Sequence, residues 1–248
     1  MNRAAPFAVA AILAALALTR SAAAQISIHP VLGCAGEVVI DGRTGAQLWS
    51  AVPSRPLAVT TVYDNLDSPM NFGISSLDPT AVWGDSVITT GTGTIESISF
   101  TVYNGESALE AIHGAQLRVR FRDAATGQIL VTASYDASFP AGLPGATYII
   151  VTLNTSGVPL ALGTTALIVD QMMTAPADET QNLGIVSFAP PTVGSSPASM
   201  YVSIPTAWGG PGFITVPGYA AHPGYRLKLD VASAVTATSW GRVKHLYR

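Results

Sequence analysis

The chain predicts an all-β fold, a single antiparallel β-sandwich of jelly-roll-like type preceded by an N-terminal signal helix. Three observations carry this. Wherever apolar periodicity can be read its period is two, the repeat of a half-buried strand. Leu117, Val119 and Phe121 alternate with Arg118, Arg120 and Arg122, and Tyr225, Leu227 and Leu229 alternate with Arg226, Lys228 and Asp230. Turn residues then separate the strand candidates at spacings of roughly ten, as in sandwiches. Finally, 23 Gly and 17 Pro supply many breaks, while helical pattern is confined to Ser107 to Ile112, which fits a turn and a half.

The elements follow in order. Arg3, the apolar run Ala8 to Leu18 and Ala22-Ala23-Ala24 before Gln25 have the layout of a secretory signal peptide. Eleven apolar residues are too few for a bilayer, which needs roughly twenty. Residues 1–24 are therefore expected to be removed and the protein exported, with no transmembrane anchor left. Residues 25–56 read as an N-terminal hairpin extension, with Val38-Val39-Ile40 and Gln47-Leu48-Trp49 around Asp41-Gly42-Arg43-Thr44-Gly45. Asp123-Ala124-Ala125-Thr126-Gly127 repeats that turn chemistry between Phe121 and Ile129. In both turns the Asp carboxylate is expected to accept backbone N–H groups and the Gly to take a left-handed conformation. Residues 57–232 form the sandwich proper. Its strand candidates are 58–63, 86–89, 94–103, the Arg-bearing stretch, 128–135, 147–153, 166–170, 183–188, 200–204, 213–216 and the stretch from Tyr225. Asp170 to Leu183 reads as a long loop, and 233–248 as a basic tail.

Charged residues make up 11% of the chain, against roughly 25% in an average soluble protein, and hydrophobic ones 48%, enough for a large core. Between Gln25 and Trp240, seven basic residues stand against all fifteen acidic ones. Such a body repels a phosphate backbone, which excludes nucleic acid as the partner. One cysteine, Cys34, allows no internal disulfide. Val31-Leu32-Gly33-Cys34 resembles a bacterial lipobox, but Arg20 ends the apolar run well before it, so Cys34 reads as a small buried or idle thiol.

Few residues suggest chemistry. Gly84-Asp85-Ser86 resembles the Gly-Asp-Ser motif of lipases and esterases, and His222-Pro223 lies late in the chain, but Tyr219 stands where their Asp belongs. Gly84-Asp85 reads instead as a turn into a strand. His29, His113, His222 and His245 lack metal-ligand spacing. Asp64, Asn65 and Asp67 offer oxygen ligands of the kind calcium takes, the one candidate cofactor, against the plainer reading of an Asx-turn. Arg118, Arg120 and Arg122 line one strand face about 7 Å apart, a grip for an anion or acidic glycan, or a solvated face. Trp83, Tyr201, Trp208 and Tyr219 lie in or beside Gly/Pro-rich segments, where exposed rings stack on sugars. Trp208, before Gly209-Gly210-Pro211-Gly212, is the best placed of them.

Val62-Tyr63-Asp64-Asn65, Trp83-Gly84-Asp85, Ile98-Ser99-Phe100, Arg118-Val119-Arg120-Phe121 and Pro190-Pro191-Thr192-Val193-Gly194-Ser195-Ser196 together resemble the secreted bacterial β-sandwich domains of PEP-CTERM and related choice-of-anchor surface proteins. That resemblance spans roughly Thr60 to Val231 and implies an exported or surface-associated sandwich without catalytic residues. The chain ends differently: Trp240-Gly241-Arg242-Val243-Lys244 resembles the short tails of some exported bacterial proteins, with Trp240, Gly241 and Lys244 as the candidate sorting residues. The leading expectation is a non-enzymatic structural or surface-interaction protein meeting a cell-surface polysaccharide or envelope protein. A carbohydrate-binding module comes second. A glycan- or ester-active hydrolase, third, requires two carboxylates within about 10 Å in a cleft, or Ser86 against His222.

Overall fold

In the computed structural model, residues 26–51, 60–91, 93–155, 161–162, 167–179, 181–197, 199–204, 209–214 and 221–230 are described. The segment expected to be a signal peptide, the tail with the candidate sorting residues Trp240, Gly241 and Lys244, and also Trp208 and Tyr219 lie outside them. Among the described residues every regular element is a strand, and no helix is long and apolar enough to cross a membrane. In chain order the strands are β1 (Ile26–His29), β2 (Gly33–Asp41), β3 (Gln47–Ser50), β4 (Thr60–Asp64), β5 (Met70–Ser76), β6 (Val82–Val87), β7 (Gly93–Asn104), β8 (Ile112–Asp123) and β9 (Ile129–Leu143). They continue as β10 (Thr147–Asn154), β11 (Ala161–Leu162), β12 (Leu167–Thr174), β13 (Leu183–Phe188), β14 (Met200–Ile204), β15 (Gly209–Ile214), β16 (His222–Pro223) and β17 (Tyr225–Asp230).

Two sheets form, one of eleven strands and one of six, the latter ordered β15-β14-β6-β12-β8-β9. They enclose one main core that includes Trp83, Phe100, Phe121, Phe139, Ile40, Ile74 and Tyr225. The alternation of β8 sets its orientation: Leu117, Val119 and Phe121 are buried, and the three arginines face outward. Among the described residues all strand pairings are antiparallel except β2 with β10, which run parallel. That pairing adds the β2–β3 hairpin to one end of the large sheet, with β3 at its edge and Val38 and Ile40 in the core.

The repeated turns have the expected chemistry. Asp41 Oδ1 accepts from the N–H groups of Arg43 and Thr44 and from Thr44 Oγ1. Asp123 Oδ1 accepts from Ala125, Thr126 and Thr126 Oγ1 in the same way. Gly45 and Gly127 both have φ 71°. Elsewhere the structure corrects the reading. Gly84 and Asp85 sit inside β6 instead of forming a turn. β12 continues through Met172 to Thr174, where a loop was expected, because Val169 and Met173 pack inward with Gln171 between them, whose Nε2 donates to Thr101 O at 2.9 Å. The expected helical turn at 107–112 shrinks to one reverse turn, with Glu110 N donating to Ser107 O and Leu109 exposed.

Candidate functional site

Three polar constellations merit weighing. The first lies on the outer face of the six-stranded sheet. Cross-strand register places Phe213, Tyr201, Gly84, Asp170, Arg120 and Thr132 in one row over all six strands, a span of about 24 Å at ordinary strand spacing. Asp170 is fully buried, and each of its oxygens is taken: Arg120 Nε donates to Oδ1 at 2.7 Å and Arg122 Nε to Oδ2 at 2.5 Å. Gly84 makes room for this pair of bonds, since a Cβ there would come within 3.0 Å of Asp170 Cβ and 2.5 Å of Val169 O. Arg122 also lies over the Tyr201 ring, 5.9 Å from its centroid, and Tyr201 meets Phe213 edge-on at 5.5 Å. Phe213 is about half exposed.

Arg118 is different. Its Nε is buried without a hydrogen-bond partner, and no ion pair joins it to any described residue. Burial, and then repulsion from Arg120 and Arg122 that Asp170 partly offsets, pulls its pKa below the ordinary arginine value. It lines an open groove of about 500 Å³ together with Gln116, Ser134, Asp136, Met172 and Thr174. The three arginines are thus not one grip. Two neutralise Asp170, and one faces the groove.

The second constellation is a buried hub on Asp85. Ser196 Oγ donates to Oδ1 at 2.6 Å and Ser86 N at 2.7 Å, while Tyr63 OH and His222 Nδ1 each lie 3.2 Å from Oδ2. Burial raises the Asp85 pKa, against the bonds from His222 and Ser196, which lower it. The same burial, reinforced by Asp85, pushes the Tyr63 hydroxyl well up. A serine nucleophile needs one imidazole nitrogen for its proton and the other for the orienting acid. Here Ser196 and Asp85 share the Nδ1 edge, at 3.2 Å each, and Ser196 donates to Asp85 itself. His222 bonds Ser196 and not Ser86, so the Ser86–His222 pairing that a hydrolase would use does not form. The hub instead ties β4 and β16 of one sheet to β6 of the other, and holds the 190–197 loop by Ser196.

The third is the expected calcium set. Arg226 Nε donates to Asp64 Oδ2 at 2.6 Å and its terminal nitrogen to Asp67 Oδ1 at 2.8 Å. Asn65 Nδ2 donates to Pro223 O, and Asn65 Oδ1 accepts from Tyr225 N. A guanidinium therefore stands where the cation would, and the carboxylates of Asp64 and Asp67 rivet β4 and its turn to β17. No cluster of three or more His, Cys, Asp or Glu suited to a metal occurs among the described residues.

The expected sugar platform is not seen at Trp83, whose side chain is 1% exposed in the main core and has no face free for stacking. Tyr201 is buried too, but on the outer face, where Phe213 covers its edge. Cys34 is not buried: it lies exposed within β2, and the partial desolvation of its thiol there raises its pKa. A lipoprotein cut before it would remove β1, which pairs with β5.

Asp170, Asp136 and Met172 escaped the sequence reading. The inward Gln171 masks the alternation of β12, and only register shows that Asp170 opposes Arg120. No protein-family model, curated protein or solved structure matches this chain.

Proposed function

We propose that this chain is an exported, non-enzymatic surface-interaction protein that binds its partner, a cell-surface polysaccharide or envelope protein, through the outer face of the six-stranded sheet. One observation carries the reading: Arg118 is a partly buried cation whose buried Nε has no partner among the described residues, beside an open groove, on a face whose other two arginines are both paired with Asp170. Ionised groups withdrawn from water are normally paired. An unpaired one at a groove is poised for a ligand. The Asp85 and Asp64 clusters support the same reading, since both serve to join strands.

Export rests on the layout of residues 1–24, and retention at the surface on the resemblance of the sandwich to choice-of-anchor domains and on the tail around Trp240. The test is fractionation of a producing culture combined with sedimentation of the purified protein with cell envelopes. Wild type is expected to be released from the cytoplasm and to cosediment with envelopes, and Arg118→Gln to cosediment at least several-fold less. Cytoplasmic retention refutes the export reading, and equal sedimentation of the variant refutes the assignment of the face. Removing residues 238–248 tests the tail: surface retention only with the tail supports sorting, and unchanged distribution refutes it.

A further inference from the structure

The groove beside Arg118 carries charges of both signs, and this restricts what fits it. Arg118 lies on β8, and Asp136 on neighbouring β9 is the cross-strand partner of Gln116, two residues before Arg118. Arg118 and Ser134 are themselves paired in register. Ser134 and Asp136 both face outward on β9, while Thr174 and Met172 come from β12 on the other side of β8. One groove therefore offers a guanidinium, a carboxylate, an amide, the Ser134 hydroxyl, a thioether and the Thr174 hydroxyl, which donates to Pro79 O and is left to accept.

A small symmetric anion such as sulfate would gain Arg118 and be repelled by Asp136. A neutral sugar would use Asp136, Gln116, Ser134 and Thr174 and leave Arg118 unpaired. A saccharide that carries a carboxylate on one side of its ring and hydroxyls on the other meets both demands. Its carboxylate faces the planar fork of the guanidinium, a bidentate match. Its hydroxyls donate to Asp136 and Thr174 and exchange hydrogen bonds with Gln116 and Ser134, and its apolar face rests on Met172. The groove volume of about 500 Å³ lies within the range of roughly 300–1,000 Å³ of small-molecule sites and suits a short oligosaccharide stretch.

We infer that this groove binds uronic-acid-containing saccharides, with Arg118 holding the carboxylate and Asp136 the hydroxyls. The inference rests on the surface-binding role proposed above and names the ligand class of the same face. It is tested with the full chain, by calorimetry and by amide chemical-shift mapping, against oligogalacturonate, hyaluronan and alginate oligosaccharides. Neutral galactan oligosaccharide, sulfate and a zwitterionic dipeptide serve as comparison probes.

At least one uronate is expected to bind and to shift amides of β8, β9 and β12. Arg118→Gln should weaken that binding about 10- to 100-fold, the usual weight of a hydrogen bond to a charged group, and Arg118→Lys less. Asp136→Asn should weaken uronate binding and strengthen sulfate binding, a reversal that a generic basic patch would not give. Thermal melts of the variants verify folding. No binding across the uronate panel, equal binding of neutral galactan, preference for the dipeptide, or indifference to Arg118→Gln each overturns the assignment. If envelope sedimentation still depends on Arg118 when every uronate fails, the ligand class is wrong and the binding face stands. If both fail, so does the face.

Discussion

Replacing Asp170 by Asn tests whether the outer face of the six-stranded sheet is held by charge. The carboxylate is fully buried and accepts from two guanidinium Nε atoms, at 2.7 and 2.5 Å, whose side chains are only 15% and 16% exposed. Asn keeps one acceptor and turns the other into a donor, so one Nε–H faces an N–H. The substitution also removes the one negative charge that offsets the repulsion among Arg118, Arg120 and Arg122. Removing one partner of a buried ion pair costs about 3–5 kcal/mol, and the residual exposure of both arginines favours the lower end, near 3 kcal/mol. For a chain of this size each kcal/mol moves Tm by about 2–4 °C, which predicts a fall of about 6–12 °C by calorimetry or near-ultraviolet dichroism. Asp136→Asn, on an exposed side chain nearby, should stay within about 0.5 kcal/mol of wild type. Sulfate should also stabilise Asp170→Asn more than wild type, because one guanidinium loses its acceptor and neither keeps a carboxylate to offset its charge. A Tm within a degree or two of wild type would show that water already screens this cluster, and the reasoning would fail.

The remaining predictions concern turns and titration. Asp41 and Asp123 have pKa values held below the ordinary aspartate range, first by the backbone N–H groups of Thr44 and Thr126. Their stabilisation is therefore complete above the unfolded value near 4 and is lost as pH falls through the lower folded values; replacing both by Asn should flatten the acid side of a Tm-against-pH curve, and an unaltered slope would contradict this. Gly127→Ala, in open space at φ 71°, meets only the left-handed backbone cost of about 1–2 kcal/mol. Gly194→Ala, at φ 77° with its Cβ 2.6 Å from Ile88 O and 2.9 Å from the Tyr63 ring, should cost clearly more by urea denaturation, and equal costs would refute the crowding. For Asp85 the sign reverses: its raised pKa means that its contribution to stability grows as pH falls through the folded value and is lost on the way up. Carboxyl carbon NMR should place it above the ordinary aspartate value and further up in Ser196→Ala; a value at or below the ordinary one would rule out burial as the dominant cause.

What could be read in advance was local. The alternation along β8 set which residues are buried and which three arginines face out, because a strand's two faces follow from its own repeat. Each Asp-x-x-Thr-Gly turn closes within five residues, so its bonds and its left-handed glycine were legible without knowing the neighbours. Gly84-Asp85 misled for the opposite reason. The pair is common in turns, and what keeps it in a strand is distant: Asp85 is buried because Ser196, 111 residues on, and His222, 137 residues on, supply its donors. Asp64, Asn65 and Asp67 likewise have the composition of a calcium loop until Arg226, 162 residues after Asp64, is placed against them.

The sequence by itself determined an all-β chain, its half-buried strands, its two Asp–Gly hairpins, an acidic body and an arginine row facing solvent. Each of these depends on neighbours along the backbone or on composition. Tertiary structure alone decided the parallel seat of β2 beside β10, the pairing of Arg120 and Arg122 with the one carboxylate of Asp170, and the unpartnered Nε of Arg118, among the described residues, in the groove that Asp136 shares. Those depend on register between strands far apart in sequence, where a shift of one residue turns every side chain to the other face.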